Sequence, residues 1–314
     1  MTLLIQYTLI FASVLMLVAL GGCFAERSGV INIGLEGIMV IGALGGALVL
    51  KFMPVSVGAP VMVIATVIVS ALFGMVFSLL LAVAAINFKA DQTITGTAMN
   101  MLATAAATVA VKAMNTAASG GNDVSSDISY TRTKDLLLVH VGGFELNWFM
   151  LVAVLCLIAA YVALYKTRFG LRLRACGEHP QAADSVGINV YKMRWAGVLM
   201  SGALGGIGGM AYIVPAVGEW NFEMGVAGMG FLALAVMIFG QWKPLNIAAA
   251  ALFFAVFRAM ANIYDSFGFL ARLGWPKEIY NMMPFVASMI VLAFTSKSSR
   301  APKAEGVPYD KGSR

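Results

Sequence analysis

Charged residues are scarce in this 314-residue sequence, in which Asp, Glu, Lys and Arg together make up 11% of the chain. Soluble domains carry about 25% charged residues, so the scarcity argues against a water-soluble fold. Hydrophobic residues make up 60% of the chain, and the mean hydropathy is +0.86. Because a membrane-crossing helix needs about 20 apolar residues, the composition predicts an all-α polytopic membrane protein with about eight to ten transmembrane helices.

Cysteine and histidine are also rare. Cys23, Cys156 and Cys176 are far apart and form no CxxC pair, so neither a disulfide framework nor a zinc site is indicated and we expect no cofactor. His140 and His179 fall in expected loops, which leaves no chain of ionisable residues for a proton relay. The phosphate-binding pattern G-x-x-x-x-G-K-[ST] is absent. We therefore expect no ATP hydrolysis and no enzyme activity from this chain itself.

Positive charge is absent from the first 25 residues and concentrated in two later segments, 166–194 and the tail after residue 296. A secretory signal peptide begins with positive charge, so we interpret the N-terminal apolar run as a retained helix. Short basic segments stay on the cytoplasmic side of a membrane, which predicts a cytoplasmic C-terminus. No basic face interleaved with aromatic residues is evident, so nucleic acid is not an expected partner.

Charge-free runs predict about nine spans. They cover residues 1–25, 37–50, 59–88, 92–111, 146–165, 195–218, 224–242, 244–257 and 279–296. We therefore expect a transmembrane domain over residues 1–297 and a cytoplasmic tail over 298–314 that is polar enough to be disordered. Three glycine pairs at a spacing of four predict that helices approach closely: Gly42 with Gly46, Gly202 with Gly206, and Gly205 with Gly209.

The segment 26–37 joins two apolar runs without a hydrophilic loop between them. Its glycines and acids suggest a broken helix that lines a cavity, since irregular backbone within a membrane is tolerated only there. The alternative is a plain cytoplasmic turn with Glu26 and Arg27 in solvent. Asn32 and Glu36 are four residues apart and share a face if the segment is helical. Both are candidates for the wall of a substrate pathway.

A second polar row lies at residues 89–100. Asp91 and Thr95 fall on one helical face, and Gln92 and Asn100 fall near another. Such a row can hydrogen-bond a polar solute, or it can bond one helix to the next. We add Asp91, Gln92, Thr95 and Asn100 to the candidate pathway.

Two further segments are candidates for contacts with partner proteins. Glu219 and Trp220 lie at an expected external boundary, as a belt tryptophan beside a solvated acid or as a docking site for a delivery protein. In the basic segment of about 168–193, Pro180 suits the first turn of a helix and Gly187 the position just past its end. A short helix outside the membrane offers a surface to a cytoplasmic partner, or it lies on anionic lipid.

Three blocks carry a family resemblance. Residues 169–189, FGLRLRACGEHPQAADSVGIN, resemble the coupling segment of ABC importer permeases for nucleosides and simple sugars, which are relatives of the branched-chain amino acid permeases. Residues 26–37, ERSGVINIGLEG, resemble the N-terminal signature of the nucleoside branch, and residues 230–244, GFLALAVMIFGQWKP, its later block. The likeness is to the shorter nucleoside-type permease.

The resemblance implies a type II-like importer fold in a bacterial inner membrane. It implies a second permease subunit, ATPase subunits, a periplasmic or lipid-anchored binding protein and a nucleoside substrate. Ribose-like sugars remain an alternative substrate, and an ion-coupled secondary transporter remains an alternative class. The ATPase-coupling residues that it implies are Gly177, Glu178, Pro180, Ala182, Ala183, Asp184 and Gly187.

Overall fold

Helices make up most of the computed structural model, which describes residues 2–141, 144–215, 218–268, 272–295 and 301–311. The α-helices are α1 (Thr2–Arg27), α2 (Leu35–Phe52), α3 (Ala59–Ala82), α4 (Gln92–Ser119), α5 (Thr131–Lys134), α6 (Trp148–Lys166), α7 (Arg168–Glu178), α8 (Pro180–Ser185), α9 (Val190–Ile213), α10 (Met229–Phe239), α11 (Pro244–Asn262) and α12 (Lys277–Thr295). A π-helical turn, Val83–Asn87, extends α3. Short 3₁₀ turns cover Val55–Val57, Asp135–Leu137, Phe222–Met224 and Tyr264–Ser266.

Short strands form two small antiparallel pairs. β1 (Asp127–Ser129) pairs with β4 (Glu219–Asn221), and β2 (Leu138–Val141) pairs with β3 (Phe144–Asn147). They lie where α2 and α9 end, since the Thr133 hydroxyl donates to the Leu50 carbonyl and the Tyr130 hydroxyl to the Ile213 carbonyl. We call this end the strand face and the opposite end, which carries α7 and α8, the α7–α8 face.

Membrane-length helices confirm an all-α polytopic membrane protein. Among the described residues, seven segments are long and apolar enough to cross a bilayer. They are Thr2–Arg27, Leu35–Phe52, Ala59–Asn87, Gln92–Ser119, Trp148–Lys166, Val190–Ile213 and Pro244–Asn262. A helix that is apolar all round belongs in the interior, and α1 accordingly lies at the centre, with every residue from Ile10 to Glu26 buried.

The central helices cross at glycines, as the four-residue spacing predicts. A Cβ on Gly42 of α2 would stand 2.2 Å from the Gly206 Cα of α9, and one on Gly74 of α3 would stand 2.2 Å from the Gly202 carbonyl oxygen. Close backbone contact replaces the hydrophobic effect as a source of helix association in lipid. The crossing of α2, α3 and α9 therefore depends on the absence of side chains at these positions.

The expected span over residues 224–242 is wrong. Its helix, α10, has 11 residues, and at 1.5 Å per residue it is about 16 Å long, roughly half of the 30 Å hydrocarbon core. The chain before it is irregular, with positive φ at Gly225, Ala227 and Gly228. Hydropathy averages over these residues and cannot detect that the backbone leaves the helical region.

The prediction of a disordered tail is also wrong for residues 301–311. Ala304 and Tyr309 are buried against the rest of the protein. The Ala304 amide donates to the Gly177 carbonyl at 2.8 Å. Backbone hydrogen bonds and three buried residues, Pro302, Ala304 and Tyr309, hold this segment, and an overall polar composition reveals neither.

Replacing Gly42 by Ala should weaken the crossing of α2 and α9, because the new methyl group would overlap the backbone at Gly206. Overpacking of this kind costs about 1–3 kcal/mol. Thermal unfolding of the purified protein in detergent measures the loss. Gly268→Ala is the matched control, since no atom of the residues that the structure describes lies within 4 Å of the added Cβ. Equal unfolding temperatures for the two variants would contradict the packing account.

Candidate translocation and coupling sites

The segment Ser28–Gly34, which we call the break, separates α1 from α2 and carries no regular helix. Gly29 turns the chain with φ of +97°. Val30 and Asn32 have no exposed surface, and Glu26 is 4% exposed. The segment is therefore a buried, non-helical connection between two helices of membrane length, and Glu26 is not in solvent as a plain turn would place it.

Amide side chains from neighbouring helices satisfy the backbone of the break. The Gln92 Oε1 accepts from the Ile31 amide at 2.7 Å. Asn100 accepts from the Gly37 amide at 2.8 Å and donates to the Ile33 carbonyl at 3.0 Å. Buried backbone groups must find partners when a helix is interrupted, so α4 supplies the bonds that the break has lost.

Asn32 is held from the other side of the break. Its Nδ2 donates to the Ser201 hydroxyl of α9 at 2.8 Å. Sequence reasoning missed Ser201, although it is the hydroxyl residue directly before the Gly202 pair. Within the part of the chain that the structure describes, Asn32 Oδ1 and Gln92 Nε2 are buried without a hydrogen-bond partner. These two atoms are the free acceptor and the free donor beside the break.

The Glu36 side chain joins the start of α2 to the start of α10. Its two carboxylate oxygens accept from the Gly228 amide at 2.7 Å and from the Gly230 amide at 2.6 Å. The N-terminus of a helix carries partial positive charge and free amide groups, which stabilise an anion. A Cβ on Gly230 would stand 2.5 Å from the Glu36 nitrogen. Backbone amide groups of the protein therefore compensate the negative charge of this carboxylate.

The structure brings four of the six candidate pathway residues together: Asn32, Glu36, Gln92 and Asn100 surround the break. The other two lie at the start of α4. The exposed carboxylate of Asp91 accepts from the Ile94 amide at 2.8 Å, and the Thr95 hydroxyl donates to the Asp91 carbonyl at 2.7 Å. Asp91 thus caps α4, Thr95 bonds back to the cap residue, and both lie outside the cluster around the break.

The expected coupling helix consists of two helices. Gly177 and Glu178 end α7, and α8 begins at Pro180 as its residue type predicts. Gly187 follows α8 with φ of +84°. A Cβ on Gly177 would stand 2.3 Å from the Arg27 carbonyl oxygen, so α7 lies directly against the end of α1, one residue before the break.

Only part of the coupling segment faces outward. Pro180 and Ala183 are buried and form the support of α8, whereas Ala182 and Gln181 are exposed. Val186, which sequence reasoning did not select, is 76% exposed. An apolar residue between Ser185 and Gly187, at the predicted end of the short helix, is the sequence signal that could have identified it. In α8 and the turn after it, the exposed residues are Gln181, Ala182, Ser185, Val186 and Gly187.

Glu219 and Trp220 lie on strand β4 at the strand face. Glu219 is exposed, whereas Trp220 is half-buried and packs edge-on against Tyr212 with 5.6 Å between ring centroids. Nearby, Lys112 forms a 2.5 Å ion pair with Glu223 and lowers the pKa of that carboxyl. Of the two expected docking residues, Glu219 is the one with a free surface.

Comparison with known proteins gives consistent matches along the chain. The family described as "Branched-chain amino acid transport system / permease component" matches residues 4–293. Guanosine ABC transporter permease protein NupQ of Bacillus subtilis is 38% identical over 100% of this chain and 98% of the relative. Nucleoside ABC transporter permease protein NupC of Lactococcus lactis is 38% identical over 96% of this chain and 95% of the relative.

A further nucleoside ABC transporter permease protein of Lactococcus lactis, NupB, is 24% identical over 96% of this chain and 83% of the relative. One organism thus has two permease proteins that resemble this chain to different degrees. No solved structure matches the chain.

Asn100→Ala should destabilise the protein, because it leaves the Gly37 amide and the Ile33 carbonyl without their partner. Each unsatisfied buried group costs about 1–3 kcal/mol. Thr97→Ala on the same helix is the matched control, since this exposed hydroxyl bonds only within α4, to the Thr93 carbonyl. Unfolding in detergent compares the two, and an equal loss of stability would show that Asn100 does not hold the break.

Proposed function

The chain belongs to the permease-component family of branched-chain amino acid transport systems, and from this premise we propose that it is the membrane-spanning subunit of a nucleoside importer driven by a separate ATPase. The observation that carries the proposal is the 38% identity, over essentially the whole chain, to permeases named for guanosine and nucleosides. ATP hydrolysis takes place on the partner subunit, and this chain is the wall of the pathway.

The chemistry around the break suits an uncharged solute with several hydrogen-bonding groups. Amide groups of α10 already compensate Glu36, so it offers no free charge to a substrate. The free acceptor of Asn32 and the free donor of Gln92 are buried, where an unpaired polar group costs free energy. A nucleoside supplies both kinds of partner. In this assignment Asn32 and Gln92 contact the solute, Glu36 and Asn100 hold the break, and Asp91 and Thr95 lie at its inner mouth.

The α7–α8 face is assigned to the cytoplasm and to the ATPase. Gln181, Ala182 and Val186 form the contact surface, while Gly177, Glu178, Pro180, Ala183, Asp184 and Gly187 shape and support it. Because Gly177 lies against the Arg27 backbone, a rigid-body shift of α7 moves the end of α1. Packed elements transmit such shifts between discrete arrangements, and the break is the adjacent element that can rearrange.

The strand face is assigned to the outside of a bacterial inner membrane, where a periplasmic or lipid-anchored binding protein docks at Glu219 beside Trp220. A second permease subunit completes the pathway. The pair of Lactococcus lactis relatives supports a heterodimer in which this chain is the partner that resembles NupC. Membrane lipid covers the exposed apolar faces of α3 and α6.

Uptake of labelled guanosine by cells that produce the complete transporter should fall when unlabelled nucleosides are added in excess and should not change when ribose is added. A hydrogen-bonding pathway that fits a base and a sugar together explains this selectivity. Competition by ribose would indicate that the substrate is a simple sugar and not a nucleoside. Loss of uptake when ion gradients are collapsed at constant ATP would favour a secondary transporter instead.

Val186→Asp should reduce co-purification of the ATPase at least tenfold, because a carboxylate then replaces the apolar contact at the end of α8. Deleting residues 181–184 should abolish it while the protein still inserts in the membrane. Val124→Asp is the matched control, since Val124 is 67% exposed in a loop at the strand face. Full ATPase co-purification with either coupling variant would reject the assignment of α8.

A further inference from the structure

Residues 304–310 of the tail, which we call the strap, lie against the α7–α8 face and join elements that are distant in the sequence. The Ala304 amide donates to the Gly177 carbonyl of α7 at 2.8 Å. Two residues later, the Gly306 amide donates to the Gly29 carbonyl of the break at 3.3 Å. The same short piece of backbone thus bonds both the coupling segment and the break.

The strap is anchored further along by α9. Arg194 of α9 is 1% exposed, and its Nη1 donates to the Val307 carbonyl at 2.9 Å. Its Nε and Nη2 have no hydrogen-bond partner within the described residues. A buried guanidinium is costly unless it is hydrogen-bonded, so the strap backbone supplies the partner that the interior of the protein does not.

Side chains of the strap complete the attachment. Tyr309 is buried in one apolar cluster with Cys176 of α7 and Ala183 of α8, so it shares a core with both helices of the coupling segment. Its ring also packs edge-on against Tyr191, with 5.3 Å between centroids. Asp310 forms a 2.9 Å ion pair with Lys89, just before α4.

Two carboxyl groups lie near each other at the middle of the strap. The charges of Glu305 and Glu26 interact, which places the two side chains close together. The Trp242 indole donates to the Glu26 Oε2 at 2.5 Å. Burial raises the pKa of Glu305, which favours its neutral form beside a second carboxyl group. Glu26 lies one residue before the end of α1, so this contact joins the strap to the segment that leads into the break.

We propose that the strap is the positioning element that transmits movement of α7 and α8 to the break during the transport cycle. The proposal rests on the function proposed above. Without the strap, α7 meets the end of α1 through the backbone contact at Gly177 and through a 3.7 Å ion pair between Arg27 and the partly exposed Glu178. Such exposed pairs contribute little. The strap adds bonds on both sides of that contact and makes α7 and the break move together.

The test is the number of solute molecules moved per ATP hydrolysed by the complete transporter in proteoliposomes. The variant ends after Lys303 and lacks the strap. We expect it to keep its ATPase partner and its ATP hydrolysis, whereas the ratio falls at least tenfold. Lys303→Ala, an exposed position outside the strap, is the control and should keep the wild-type ratio.

Point variants separate transmission from a general loss of structure. Glu305→Gln keeps a polar side chain of the same size beside Glu26 and should keep the ratio. Glu305→Ala removes this side-chain contact and should lower the ratio severalfold, with ATP hydrolysis unchanged. An unchanged ratio in both the truncated protein and Glu305→Ala would overturn the proposal, as would loss of the ATPase partner on truncation, because the strap would then serve assembly.

A second readout does not depend on the identity of the solute. Hydrogen exchange of the amides in residues 28–34 is compared before and after the ATPase is trapped with vanadate. The wild-type complex should show a change in exchange, and the truncated complex should show none. A solute other than a nucleoside would refute the proposed substrate and leave this comparison intact, whereas an equal change in both complexes would refute the strap.

Discussion

The need to hydrogen-bond the buried, non-helical backbone between α1 and α2 governs this structure. From Ser28 to Gly34 the chain makes no regular helical bonds and is largely buried, so its backbone groups need partners from the protein. Gln92 and Asn100 supply the missing partners from α4, and Ser201 fixes Asn32 from α9. The position of the break therefore depends on the packing of those helices, and any rearrangement of the break requires them to shift.

The same constraint explains the short helix α10. α10 begins in the interior, and its free amide groups meet the carboxylate of Glu36. The anion compensates the helix terminus, and the terminus makes a buried anion tolerable. Gly230 allows the two chain segments to approach closely, since a Cβ there would stand 2.5 Å from the Glu36 nitrogen. Two irregular segments thus satisfy each other, and the remaining free groups beside them are uncharged amides.

Sequence alone predicted those features that depend on local periodicity or residue type. The spacing of Gly202 and Gly206 predicted a close crossing, and Pro180 predicted the start of α8. It could not predict which polar groups meet, because the bonds of Asn100 to Ile33 and Gly37 join positions more than sixty residues apart. The length of α10 was missed because hydropathy is blind to positive φ at Gly225 and Gly228. The packed tail was missed because its bonds are largely made by backbone.

We propose that the hydrogen bonds that hold the break rearrange only when an ATPase acts on α7 and α8. The most direct measurement is uptake of labelled guanosine into proteoliposomes that contain either the membrane subunits alone or the complete transporter with its binding protein. The account predicts uptake with the complete transporter and ATP, and none with the membrane subunits alone. Uptake by the membrane subunits without the ATPase would contradict it.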